Sequence, residues 1–87
     1  MRLCFLYHPA SDHRRLVEEY VHEFSKNHAT GIELVSLETK EGAEMARVYD
    51  VVQYPALLAI QDTGGLAQYW QGDTLPLMDE VAGYARM

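Results

Sequence analysis

The sequence predicts an α/β fold, a four-stranded mixed sheet in the order β-α-β-α-β-β-α with helices on both faces. Short apolar runs of strand length alternate with longer segments whose apolar residues recur every three or four positions. A strand-helix-strand start favours a parallel pair, because parallel strands need a long crossover connection. Gly64 and Gly65 then supply a tight turn between the last two strands, which makes that pair antiparallel.

The first half of the chain supplies two strands and two helices. The apolar run of residues 3–7 predicts a strand buried on both faces, and Pro9 ends it. Ser11 or Asp12 is expected to cap the first helix, since their side chains can accept from its free N–H groups. Residues 32–37 alternate as a second strand, and Thr39 is expected to cap a second helix. The apolar stripe of the first helix is Leu16, Val17, Tyr20, Val21 and Phe24.

The second half predicts a hairpin and a last helix. Pro55 opens a third strand that runs to about residue 60, and residues 62–65 form the turn. The fourth strand, residues 66–71, is expected to place Leu66 and Trp70 on the same face, because strand side chains alternate. After residues 72–74 the last helix carries an apolar stripe of Leu77, Met78, Val81 and Ala85.

Length, charge and cysteine content limit the classes of function. A chain of 87 residues with 48% hydrophobic residues predicts a single domain over residues 1–87. The net charge of −6 argues against nucleic acid and anionic membranes as partners. The single cysteine, Cys4, requires no oxidising compartment, and neither a signal peptide nor a membrane span is evident. We therefore expect a cytoplasmic protein that is a monomer or a weak dimer.

Residues 49–60, Tyr-Asp-Val-Val-Gln-Tyr-Pro-Ala-Leu-Leu-Ala-Ile, carry a family resemblance. A proline at the first residue of a buried strand indicates a specified backbone geometry, and we predict a cis Tyr54–Pro55 bond. The segment resembles the one around the cis-proline of thioredoxins, where a similar helix end precedes Pro-Thr-Leu-Leu. Gly72 resembles the glycine that closes the fourth strand there. Together with the element order, almost the whole chain resembles the minimal thioredoxin-like core of glutaredoxins.

The resemblance implies a fold without the chemistry of its family. The two redox cysteines of thioredoxins fall on Ser11 and Arg14, and neither residue can take part in thiol–disulfide exchange. Phe5 lies near the position of the buried acid that handles protons in thioredoxins. A dithiol oxidoreductase is therefore excluded. Cys4, inside an apolar strand, is expected to be a buried and unreactive thiol.

The resemblance also implies a groove for a ligand or partner. The residue before the proline, Tyr54, would pair through its backbone with a bound peptide, and Ser11 would replace a cysteine to hold a thiolate. The simpler interpretation is that Ser11 or Asp12 only caps the helix, and Asp12 would repel an anion. The four histidines lack the spacing of a metal site, so no metal or other cofactor is expected. The predicted groove residues are Ser11, Asp12, His13, Arg14, Tyr54, Pro55, Gly72 and Asp73.

Two functions remain open at this point. The first is a non-catalytic module, not an enzyme, that binds a peptide or protein partner along the proline groove or a sheet edge, by analogy with members of this fold that lack the cysteines. The alternative is a protein that binds glutathione or another small thiol, using Ser11 at the helix N-terminus. We favour the first, because the residues of the recognition surface are retained while the sulfur chemistry is lost.

Overall fold

The computed structural model describes residues 1–28, 30–72 and 74–85, which form the predicted series of strands and helices. The sheet has the order β2-β1-β3-β4, with β1 and β2 parallel and the other two pairs antiparallel. β1 is therefore internal, between β2 and β3, and runs antiparallel to β3. The elements are β1 (Arg2–Tyr7), α1 (Arg14–Asn27), β2 (Glu33–Ser36), α2 (Lys40–Val48), β3 (Ala56–Ile60), β4 (Leu66–Gln71) and α3 (Met78–Ala85).

The central strands β1 and β3 divide the core into two layers. Every residue of β3 is buried, as are residues 3–6 of β1, which explains why both strands read as continuous apolar runs. Side chains on one face pack against α1 and α3, and those on the other face pack against α2. Phe5 meets Tyr20 of α1 edge to face, with ring centroids 5.6 Å apart. Among the described residues, none of the helices has the length and hydrophobicity of a transmembrane span.

The start of α2 is fixed tightly against the end of β2. The Thr39 hydroxyl accepts a hydrogen bond from the Gly42 N–H at 3.0 Å, so the predicted cap is confirmed. Gly42 itself is buried, and its Cα lies directly against the Ser36 carbonyl group. A glycine inside a helix normally destabilises it, but here the absence of a side chain permits the close approach of helix and strand.

The end of α2 directs the chain toward Tyr54. Asp50 adopts a left-handed conformation with φ of 55°, and its N–H donates to the Arg47 carbonyl at 3.3 Å. The Val51 N–H donates to the Ala46 carbonyl at 2.9 Å, which completes the 6→1 and 5→2 pattern of a Schellman motif. Val51 is buried against the α2 side of the sheet, so the loop leaves the helix in a fixed direction.

Two details of β4 and α3 differ from the sequence prediction. The register of β4 shifts between Ala59 and Ile60, where the pairing carries a bulge. Leu66 consequently packs on the α2 side of the sheet, while Trp70 packs on the α1 and α3 side, so the prediction of one shared face was wrong. Leu77 precedes α3 and is 77% exposed, so it does not belong to the apolar stripe of that helix.

Candidate functional site

The loop between β1 and α1 forms one wall of the candidate site. α1 begins at Arg14 with His13 as its N-cap, and no side chain caps it, so the predicted cap by Ser11 or Asp12 was wrong. The Ser11 hydroxyl instead donates to the His8 carbonyl at 2.7 Å, and the His8 N–H donates to His13 Nε2 at 3.1 Å. These bonds hold the loop in a compact turn, because the serine and histidine side chains take the place of backbone partners.

Tyr54 and Pro55 form the facing wall. The Tyr54–Pro55 peptide bond is cis, as the sequence predicts. The Tyr54 hydroxyl donates to the Val51 carbonyl at 3.1 Å, and its ring meets the His8 ring edge to face with centroids 5.0 Å apart. His8 thus joins the two walls, and the Tyr54 side chain is held from both ends.

Hydrogen bonds also hold the backbone on both sides of Tyr54, but the N–H and C=O of Tyr54 itself are unpaired within the described residues. The Pro55 carbonyl accepts from the Gly72 N–H at 3.0 Å, and the Gln53 N–H donates to Gln71 Oε1 at 3.3 Å. Gly72 has a φ of 98°, which a residue with a side chain rarely adopts. Within the described residues, neither the N–H nor the C=O of Tyr54 takes part in a hydrogen bond. The described part of the fold therefore leaves both groups without a hydrogen-bond partner.

The structure brings only part of the predicted groove together. Ser11 and His13 meet Tyr54 through His8, and Pro55 meets Gly72. The Arg14 guanidinium instead pairs along the helix with Glu18, at 3.2 Å from Nε to Oε2. The side chain of Asp12 is exposed, and Asp73 lies outside the described residues.

The hydrogen bonds of Ser11 and His13 determine which polar atoms this loop presents. The Ser11 proton points at the His8 carbonyl, so the hydroxyl presents its oxygen, not its proton, to the site. His13 Nε2 uses its lone pair to accept from the His8 N–H, so this nitrogen has no lone pair left for a metal. No group of three metal-ligating side chains occurs among the described residues.

Cys4 is buried away from this loop, in the middle of β1. Its side chain is fully buried on the α2 side of the sheet, as the sequence predicts. Burial raises the pKa of the Cys4 thiol to about 11, although the Arg2 guanidinium acts in the opposite direction. The thiol lies 3.8 Å from Glu33 Oε2, and that carboxylate also disfavours the thiolate. Cys4 is thus a poor nucleophile as well as an inaccessible one.

Sequence reasoning missed the residues that organise the site. His8 is not among the predicted groove residues, yet it contacts Ser11, His13 and Tyr54. Its position between the first strand and Pro9 was the available signal, since that is where the loop must turn. The contact of Gln53 with Gln71 joins residues that are far apart in sequence, and nothing in the pattern predicts it.

Comparison with known proteins identifies the fold of this chain. No family model matches the chain, and no curated protein matches it. The structure is similar to that of thioredoxin 1 from the thermophilic eubacterium Thermosipho africanus TCF52B, with a TM-score of 0.67 and 14% sequence identity. The alignment covers 99% of this chain and 91% of that one. The sequence contains one cysteine, Cys4, which is buried, and the chain has a thioredoxin-like fold.

Proposed function

We propose that this chain is a non-catalytic binding module that holds an extended segment of a peptide or protein partner at Tyr54. The observation that carries the proposal is the state of the Tyr54 backbone. Its N–H and C=O have no internal hydrogen bond within the described residues, while its side chain is held by His8 and Val51. An extended segment that pairs with both groups gains two hydrogen bonds without first ordering the loop.

The proposed binding is reversible and independent of redox state. The chain has one cysteine, and it is buried with a raised pKa, so no mixed disulfide with a partner is expected at the loop. Affinity for the partner should therefore be the same with and without a reductant. We also propose a cytoplasmic location, since nothing in the cysteine content calls for an oxidising compartment.

Binding of glutathione is the alternative, and the Ser11 hydroxyl argues against it. A serine stabilises a bound thiolate by donating its proton, and here that proton is directed to the His8 carbonyl at 2.7 Å. The exposed carboxylate of Asp12 adds a negative charge beside the same loop. A thermal-shift measurement with millimolar glutathione tests this alternative, because a specific ligand raises the apparent stability by mass action.

The experiment that tests the proposal removes the Tyr54 N–H alone. A partner is first captured from a cell extract and purified, and its dissociation constant is measured with and without reductant. The same measurement is then made on a chain in which the Gln53–Tyr54 amide is replaced by an ester. The ester keeps every side chain and removes one donor, so we expect about three- to tenfold weaker binding. An ester at Thr63, an exposed residue of the β3–β4 turn whose N–H is also unpaired within the described residues, is the matched control.

Three outcomes would contradict this proposal. Equal affinity of the wild-type and Tyr54 ester chains would place the partner elsewhere. Loss of binding on reduction would indicate a covalent thiol link. A rise in melting temperature with glutathione that is absent in Ser11→Ala would favour the thiol alternative.

A further inference from the structure

The sheet has two edge strands, β2 and β4, and the direction of their backbone groups follows from the register. The Leu37 N–H donates to the Tyr7 carbonyl at 2.9 Å, so the odd-numbered residues of β2 point their polar groups toward β1. Leu34 and Ser36 therefore point theirs outward. We call this outward row, made of Leu34 and Ser36, the β2 edge.

Most of the β2 edge is unpaired. The Ser36 carbonyl accepts from the Thr39 N–H at 3.1 Å and from the Thr39 hydroxyl at 2.7 Å. Within the described residues, no partner exists for the Leu34 N–H, the Leu34 C=O or the Ser36 N–H. The edge thus presents two donors and one acceptor in the spacing of a strand.

The opposite edge strand, β4, is protected against pairing with another strand at an outward N–H group. The Tyr69 N–H points outward from β4, and the Gln68 side chain folds over it, with Oε1 accepting at 2.8 Å. The Gln68 amide is held in that position by a donated hydrogen bond to the Tyr84 hydroxyl at 3.3 Å. The bulge in the β3–β4 pairing interrupts this strand further. Side-chain cover of an outward N–H and a bulge are devices by which edges avoid pairing, and the described residues of β2 show neither of the two.

The two faces beside the β2 edge differ in chemistry. Glu33 lies opposite Cys4, on the α2 face, where its carboxylate and that of Glu41 share the single guanidinium of Arg2 at 2.7 and 3.4 Å. Two carboxylates against one cation leave a net negative charge on this face. Leu34 lies on the other face and is 40% exposed. An open hollow beside the edge is lined by Glu33, Leu34, Val35, Ser36, Thr39 and Glu41.

We propose that the β2 edge is a docking site for an extended segment of a protein partner in which basic and apolar residues alternate. The segment adds a fifth strand, bonds Leu34 and Ser36 through its backbone, and directs its basic side chains at Glu33 and Glu41. Its apolar side chains cover Leu34. A second copy of this chain is a poor occupant, because it would bring another net charge of −6 and a second set of these carboxylates to the same edge.

Titration with a short peptide, observed by NMR on the isotope-labelled full chain, tests this site. The probe is a capped peptide in which lysine alternates with valine, and its matched control has glutamate in place of lysine. We expect the lysine peptide to shift the amide signals of Leu34 and Ser36, and the glutamate peptide to leave them unchanged. No shift at millimolar lysine peptide, or shifts centred on Tyr54 or Tyr69, would overturn the proposal.

Two variants separate backbone pairing from charge. Leu34→Pro removes the outward N–H but no bond to β1, and should weaken binding of the lysine peptide about tenfold. Glu41→Lys, on an exposed helix position, should weaken it and permit the glutamate peptide to bind. Equal affinity of wild type and Glu41→Lys for the lysine peptide would overturn the proposal even if Leu34→Pro failed to fold.

Discussion

Gly42→Ala is a substitution for which two physical effects predict opposite changes in the free energy of unfolding. Alanine is about 1 kcal/mol more favourable than glycine inside a helix, so propensity alone predicts a more stable protein. The structure predicts the reverse. A Cβ on Gly42 would lie 2.8 Å from the Ser36 carbonyl carbon and 3.2 Å from the Leu37 Cα, and closer still to the Ser36 oxygen. All three are backbone atoms, which cannot rotate away.

The magnitude follows from the two opposing terms. Overpacking costs about 1–3 kcal/mol, and a contact with backbone atoms belongs at the upper end of that range. After subtraction of the helix propensity gain, Gly42→Ala should lower the free energy of unfolding by about 2 kcal/mol. For a domain of this size that is a fall in melting temperature of about 8–16 °C.

The assay is urea and thermal unfolding followed by far-UV circular dichroism, with Gly83→Ala as the matched control. Gly83 lies inside α3, and a Cβ there would meet nothing within 4 Å. Gly83→Ala should therefore stabilise the protein, by about 0.5–1 kcal/mol. Stabilisation by both substitutions, or an unchanged melting temperature for Gly42→Ala, would refute the close approach of α2 to β2.

Four further predictions concern the helix end, the thiol and a buried tyrosine. Asp50→Gly should raise the free energy of unfolding by about 0.5–1 kcal/mol, because Asp50 has a φ of 55° that glycine adopts without strain, and chemical denaturation measures the gain. Cys4, with its pKa raised to about 11, should react with iodoacetamide at pH 8 only as fast as the protein unfolds, and rapid stoichiometric labelling of the native chain would contradict its burial. The unfolded thiol ionises near pH 9 and the folded one near pH 11, so the Cys4 contribution to stability should decline as the pH rises between those values. Tyr20→Phe should destabilise by about 1–2 kcal/mol, since it removes the 2.9 Å hydrogen bond to the Pro76 carbonyl, and unchanged stability would show that water replaces the hydroxyl.

The fold was predictable because its strongest signals are local and agree with one another. Three patterns show this. A continuous apolar run indicates β1, an amphipathic repeat indicates α1, and two glycines indicate the turn that joins β3 to β4. The Gly64 N–H donates to the Gln61 carbonyl and Gly64 has a φ of 94°. The turn therefore uses the positive φ for which a glycine at this position was expected. Thr39 caps α2 for the same local reason.

The details that the sequence missed depend on contacts between distant residues. The bulge in β4 arises from pairing with β3, and it moves Leu66 to the face opposite Trp70, which alternation within one strand cannot reveal. Likewise, the Ser11 hydroxyl could have capped α1, but the nearby His8 carbonyl accepts its proton instead. The candidate site is made from such contacts, so only part of it could be predicted.

The most direct test of the proposed binding site is amide hydrogen exchange at Tyr54, measured by NMR in the free chain and in the complex with its captured partner. In the free chain, the Tyr54 N–H should exchange much faster than that of Leu57, which lies in a fully buried strand. In the complex, the account predicts that exchange at Tyr54 slows by about a hundredfold or more, because the partner accepts its hydrogen bond. Fast exchange at Tyr54 in a saturated complex would contradict the central claim and place the partner on another surface.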